Sequence, residues 1–86
     1  MLLRLKHKIK IPFKDWIRRE YLNIHVHPWH QLAFDLNGKW KDFPVNTDAT
    51  EKTFDDLSYW LYEHGACATC QANFKGAWMN YLNDVC

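Results

Sequence analysis

Two cysteines three positions apart, Cys67 and Cys70, are the residues of this chain best suited to chemistry, and His64 lies just before them. Thiolate and imidazole ligands match the borderline softness of zinc, and cysteine pairs at this spacing occur in tetrahedral zinc sites. A fourth ligand would come from the last cysteine or from a histidine cluster. The predicted metal ligands are therefore His64, Cys67, Cys70 and Cys86, with His25, His27 and His30 as alternatives for the fourth place.

The cysteine pair has two other interpretations. The C-x2-C unit occurs once, and cysteines at helical spacing also serve as small, inert, buried residues. A redox pair is the third interpretation, but a thioredoxin-like motif accompanies a strand, whereas here a helix ending at Gly65 is expected to precede it. Zinc is the one cofactor that the sequence suggests.

Basic residues alternate along the N-terminal segment, where they would line one side of a strand. Alternate side chains on a strand repeat at roughly 6.6 Å, which is comparable with the phosphate spacing of a nucleic acid. Lysines on an edge strand also prevent edge-to-edge aggregation, and this second explanation is equally physical. The predicted surface for nucleic acid or an acidic partner consists of Arg4, Lys6, Lys8, Lys10, Arg18 and Arg19.

Acidic and aromatic residues in the second half of the chain suggest a protein-binding surface. The chain has five tryptophans, of which a domain of this size can bury about three fully, so one or two exposed aromatics would act as anchors. The acidic helix face could enter a partner's basic groove and compete there with nucleic acid. The predicted partner-binding residues are Glu51, Asp55, Asp56, Glu63, Trp29, Tyr59 and Trp78.

Length and charge limit the function classes. Residues 1–86 are expected to form one domain, because a second core would not fit. The net charge of +1 conceals +5 in residues 1–43 (nine basic, four acidic) and −4 in residues 44–86 (two basic, six acidic). Three cysteines without a secretory leader predict a cytoplasmic protein. No apolar stretch is long enough to span a membrane, so a membrane is not expected among its partners. Nothing resembles a phosphate loop or a nucleophile elbow, so no enzyme is predicted.

A β-hairpin over residues 29–45 is the element expected to organise the fold. It would turn at residues 35–38, where aspartate at the first position and glycine at the fourth suit a type I turn with positive φ at Gly38. This register places Phe34 opposite Trp40 and separates apolar from charged side chains.

The remaining elements follow from periodicity. Residues 3–11 alternate as a strand that Pro12 ends, and residues 24–27 suggest a strand end. Helical spacing predicts helices over about residues 13–22, from a cap near Asp48 to Gly65, and over about residues 67–84. The predicted fold is α+β in the order β-α-β-β-β-α-α, with a small antiparallel or mixed sheet (N-terminal strand plus hairpin) and helices packed on one face.

These features favour a small non-enzymatic binding module that docks on a protein or nucleoprotein partner and inhibits or regulates it. Viral inhibitors encoded by phages, including anti-CRISPR proteins, belong to this size class, and the analogy is one of scale and architecture only. Two alternatives are a nucleic-acid-binding domain that uses the basic strand and a small zinc-stabilised domain. The sequence leaves the oligomeric state open.

Overall fold

The computed structural model describes residues 11–85, with side chains from 11 to 84. This range contains four helices, namely α1 (Phe13–Tyr21), α2 (Pro28–Asn37), α3 (Glu51–Glu63) and α4 (Ala68–Val85). No residue from 11 to 85 lies in a strand, so the predicted α+β fold with a sheet is wrong. The predicted strand over residues 3–11 lies outside the described residues except for its last position.

Helix α2 occupies the segment that was predicted to form the first half of the hairpin. Pro28 takes the first helical position, where its fixed φ suits a helix and its missing N–H costs nothing. The side chain of His27 caps the helix by accepting a hydrogen bond from the N–H of Trp29. Leu32 and Leu36, one turn apart, are buried, so this segment follows a helical period rather than the alternation of a strand.

The rest of the predicted hairpin is a series of turns. Gly38 ends α2 with φ of −125°, not with the positive φ that a hairpin bulge would require. The N–H of Trp40 then donates to the carbonyl of Asp35 at 2.8 Å, which turns the chain back under α2. Residues 24–27, the predicted strand end, form the turn between α1 and α2.

The predictions of the other three helices are confirmed, with one correction at a cap. Helix α3 begins at Thr50, whose side chain accepts a hydrogen bond from the N–H of Thr53. The cap was expected near Asp48, but the Asp48 carboxylate accepts instead from the hydroxyl groups of Thr50 and Thr53. Gly65 has φ of 88° and ends α3 as expected.

Aromatic rings fill the space between the helices. Phe13, at the start of α1, is fully buried and lies at the centre of the cluster. Its ring centroid lies 5.2 Å from that of Phe74 and 5.3 Å from that of Tyr81, both in edge-to-face geometry, which aromatic pairs favour. Tryptophans 16, 40 and 78 are the three that are buried, which confirms the number expected from the size of the domain.

Asn46 is the buried polar residue that connects the N-terminus of α1 to α4. Its Oδ1 accepts from the N–H of Phe13 at 2.8 Å, and this supplies the cap that Pro12 cannot give. Its Nδ2 donates to the carbonyl of Asp48 at 2.8 Å and to Tyr81 Oη at 3.2 Å. Tyr81 Oη in turn donates to the carbonyl of Ile11 at 2.6 Å. The loop before α3 is thereby fixed to both terminal helices.

Candidate functional site

The exposed side of α3 combines four carboxylates with two exposed tyrosines. Leu57 and Leu61 anchor the opposite side in the core, each at most 3% exposed. We call the exposed side the acidic tyrosine face. Its six residues lie within less than half of the circumference of the helix. They are Glu51, Asp55, Asp56, Tyr59, Tyr62 and Glu63, all exposed.

The two tyrosines of this face form an ordered pair. Tyr59 and Tyr62 are 60% and 69% exposed, and their ring centroids lie 6.3 Å apart with the ring planes 28° from parallel. A hydrogen bond and the negative charge of Glu63 raise the pKa of Tyr59, so its hydroxyl stays protonated at neutral pH. The face therefore offers hydroxyl donors and aromatic surface beside carboxylate acceptors.

The charge of the acidic tyrosine face is only partly compensated within α3. Lys52 pairs with Asp56 at 3.1 Å, and both side chains are largely exposed. Four carboxylates against this one ammonium leave a net charge of −3. An exposed pair contributes little stability, so these charges are not needed to hold the helix in place.

Two of the predicted aromatic anchors do not lie on an open surface. Trp78 is 3% exposed and belongs to the core, so its prediction as an exposed anchor is wrong. Trp29 is half-buried, because its indole covers Gly76, where an added Cβ would lie 3.3 Å from Trp29 Cζ2. The glycine in α4 thus permits the close packing of α2. Tyr59 is exposed as predicted.

The predicted zinc ligands are not brought together among the residues that the structure describes. His64 stacks on Trp60 with ring centroids 3.6 Å apart, and its Nδ1 bonds to the carbonyl of the same tryptophan at 2.8 Å. Between residues 11 and 84, no group of three or more His, Cys, Asp or Glu side chains could hold a metal ion. The fourth predicted ligand, Cys86, lies outside the described residues.

The three histidines that were alternatives for the fourth zinc ligand have separate structural contacts. His27 caps α2, as described above, and its ring lies 4.7 Å from that of Tyr21. His30 Nδ1 lies 3.3 Å from the carbonyl oxygen of Tyr21. The rings of His25 and His30 meet edge to face at 4.6 Å. These contacts fix the turn between α1 and α2.

The basic surface can be followed only in part. Arg18 pairs with Asp15 at 3.0 Å and Arg19 pairs with Glu20 at 3.1 Å, both on the exposed side of α1. Arg4, Lys6, Lys8 and Lys10 lie outside the described residues. The nucleic-acid hypothesis therefore stays a prediction.

Cys67 and Cys70 line a second feature, a solvent-open cleft of about 220 Å³ between α2 and the start of α4. We call it the thiol cleft. Asp35 and Lys39 form its opposite wall, with 3.9 Å between Lys39 Nζ and the nearer carboxylate oxygen. Trp40 closes the end of the cleft, and its Nε1 donates to the carbonyl of His64 at 3.3 Å. This bond ties the turn after α3 to the segment after α2.

The two thiols differ in electrostatic environment. Cys67 precedes the first residue of α4 and is exposed, and N–H groups of Cys70 and Thr69 donate to its sulfur and lower its pKa. Burial raises the pKa of Cys70 to about 11, and the negative charge of Asp35 acts in the same direction. Lys39 attracts both thiolates. The exposed cysteine is therefore the more readily ionised of the two.

Sequence reasoning missed one residue of the face and one wall of the cleft. Tyr62 lies three residues after Tyr59 and seven after Asp55, so the helical period alone could have placed it on the same side. The wall formed by Asp35 and Lys39 could not be predicted. The incorrect hairpin assigned the residues of α2 to a strand, so Asp35 was not expected to face the two cysteines.

Comparison of the chain with protein-family models, curated proteins and solved structures gives no match. Among the described residues, no helix has both the length and the apolar character needed to cross a membrane.

Proposed function

We propose that this domain is a non-enzymatic binding module that docks through its acidic tyrosine face on a basic surface of a protein or nucleoprotein partner, and so blocks or regulates that partner. The single observation that carries the proposal is the combination of Tyr59 and Tyr62 with uncompensated carboxylates on one unpacked side of α3. Tyrosines rank among the residues that contribute most to binding free energy at protein interfaces.

Charge complementarity selects the partner chemistry. A face with net charge −3 is repelled by nucleic acid and attracted to clusters of lysine and arginine, where opposite potentials steer association. Such clusters commonly serve to hold phosphates, so occupation by this face would exclude a nucleic acid from the same groups. Blocking of a nucleic-acid-binding partner is therefore the mode of action that we expect.

The test is affinity capture from a cognate cell lysate with matched variants. Asp55→Asn/Asp56→Asn removes two charges, and Tyr59→Ala/Tyr62→Ala removes both rings. The control for charge is Asp42→Asn, and the control for exposed aromatic area is Phe34→Ala, since both residues are exposed and lie outside α3. We expect each double variant to weaken capture of the same protein about tenfold or more, which corresponds to about 1.4 kcal/mol.

Two further measurements make the result specific. Double-stranded DNA added to the lysate should displace the captured protein, and capture should fall as salt is raised from about 0.05 to 0.5 M, because added ions screen exposed charges. Equal capture by the wild type and by both double variants would refute the proposal. It would also be refuted if Asp42→Asn or Phe34→Ala lost capture while both double variants kept it.

A further inference from the structure

We propose that Cys67 and Cys70 form a thiol–disulfide exchange pair that reacts with low-molecular-weight disulfides such as glutathione disulfide, with Cys67 as the attacking sulfur and Cys70 as the resolving one. The reaction is a stoichiometric exchange of the protein itself and does not depend on the binding proposal. It gives a chemical role to the thiol cleft, of which Asp35 and Lys39 form one wall.

Three geometric observations carry this assignment. Cys67 is exposed at the entrance of the thiol cleft, whereas Cys70, one helical turn later, is half-buried and lines the same cleft. The α4 helix begins at residue 68, and the N–H of Gln71 donates to the carbonyl of Cys67 at 2.9 Å, so Cys67 is the N-cap of this helix. Helix N-termini stabilise thiolates through their unpaired N–H groups and positive dipole.

The spacing also permits the product disulfide. Helix geometry places Cα atoms three residues apart at about 5 Å, which lies within the range of about 4.4–6.8 Å that disulfides span. Lys39 on the facing wall adds a positive charge that the carboxylates of glutathione can approach, since its side chain is 62% exposed. The cleft thus holds a nucleophile, a second thiol within reach and a group that attracts the co-substrate.

The exchange proceeds in two balanced steps. The Cys67 thiolate attacks one sulfur of glutathione disulfide, so that a Cys67–glutathione bond forms, the original S–S bond breaks, and one glutathione leaves as a thiolate that takes a proton from water. Cys70 then gives its proton to solvent and attacks the Cys67 sulfur, and the second glutathione leaves as a thiolate. Two electrons pass from the cysteine pair to glutathione disulfide, which is reduced to two glutathione molecules.

Serine variants of the full chain test each role. Serine is a preferred N-cap, so Cys67→Ser retains an acceptor at the start of α4 while it removes the nucleophile. Cys70→Ser and Cys70→Ala remove the resolving thiol with two different side chains, so that a folding defect of one does not decide the result. Circular dichroism with a thermal melt checks that each variant is folded.

Reduced protein is incubated with glutathione disulfide, quenched with acid, alkylated and mapped by mass spectrometry. We expect the wild type to form the Cys67–Cys70 disulfide and to leave Cys86 alkylated, and both Cys70 variants to accumulate one glutathione on Cys67. Cys67→Ser should slow modification of residue 70 about tenfold or more, because this thiol ionises less readily. A wild-type disulfide that includes Cys86, or Cys70 variants that carry no glutathione on Cys67, would overturn the assignment.

Discussion

Replacement of Asn46 by alanine should be among the most destabilising single changes in this chain, although the residue touches no candidate site. The substitution removes the acceptor of the Phe13 N–H and the donor to the Asp48 carbonyl and to Tyr81 Oη. Asn46 is only 6% exposed, so water cannot readily replace these bonds. Each buried polar group left without a partner costs about 1–3 kcal/mol.

The expected loss is about 2–4 kcal/mol. The buried Phe13 N–H loses its acceptor at about 1–3 kcal/mol, and the part-buried Asp48 carbonyl adds about 1 kcal/mol, while Tyr81 Oη keeps its bond to Ile11. A chain of this length has a total free energy of unfolding of about 4–13 kcal/mol, so the variant should remain folded at 25 °C or lie close to its midpoint. Its Tm should fall by roughly 8–32 °C, since 1 kcal/mol corresponds to about 4–8 °C for a domain of this size.

Urea titration followed by tryptophan fluorescence measures this loss directly. Asn46→Asp is the informative companion, because it retains the acceptor for Phe13 but cannot donate in its ionised form, so it should also be destabilised. Asn83→Ala is the matched control, since that side chain is exposed and such changes alter stability by about 0.5 kcal/mol at most. If Asn46→Ala costs under about 1 kcal/mol, the argument that this network holds α1 and α4 together is refuted.

Three further predictions concern separate parts of the molecule. Alkylation of Cys67 by iodoacetamide should show a midpoint at lower pH than that of an unperturbed thiol, and alkylation of Cys70 a midpoint at higher pH, because hydrogen bonds favour the first thiolate and burial disfavours the second; equal midpoints would contradict this. Thr50→Ala should lower the free energy of unfolding by about 1 kcal/mol through loss of the α3 cap, and Thr50→Ser should cost less in the same urea titration. Gly76→Leu should lower the free energy of unfolding by about 1–3 kcal/mol, because the larger side chain displaces Trp29. In Gly76→Ala, a gain in helix propensity of about 1 kcal/mol should offset the tighter contact with Trp29. Equal losses of unfolding free energy in the two variants would show that Trp29 does not limit the space.

The sequence predicted the helices wherever one apolar period dominated. Phe13 and Trp16 in α1 are three residues apart, and Phe74, Ala77 and Tyr81 in α4 recur at three and four residues. All five are buried. Segment 29–45 carries two competing signals, because Leu32 and Phe34 alternate as in a strand while Leu32 and Leu36 lie one helical turn apart. The hairpin prediction required Phe34 on the buried side, but it is 58% exposed.

Local signals at the ends of this segment could have decided between the two. Asp35 through Gly38 resembles a hairpin turn, yet the same residues end a helix, because glycine is also common just after a helix C-terminus. Pro28 comes directly before the segment, and proline is favoured at the first position of a helix. The error propagated to the cleft, since a strand could not place Asp35 opposite the cysteines.

The acidic side of the candidate face was predictable because it needs only the helical period of α3. The exposure of individual tryptophans was not predictable, because ring size alone does not tell which tryptophan the core accepts. Trp78 follows Phe74 by one turn and precedes Tyr81 by three residues. It therefore lies on the buried side of α4, where its ring packs against both of theirs.

The bond from Trp16 Nε1 to Asp84, at 2.7 Å, joins residues 68 positions apart. Because translation runs from the N-terminus, Phe13 and Trp16 are synthesised long before the α4 residues that cover them. At about 5–20 residues per second, this interval is roughly 3–14 s. A nascent chain therefore presents an uncovered aromatic segment to chaperones until α4 has emerged, and a ribosome that stalls within α4 would leave that segment without the residues that cover it.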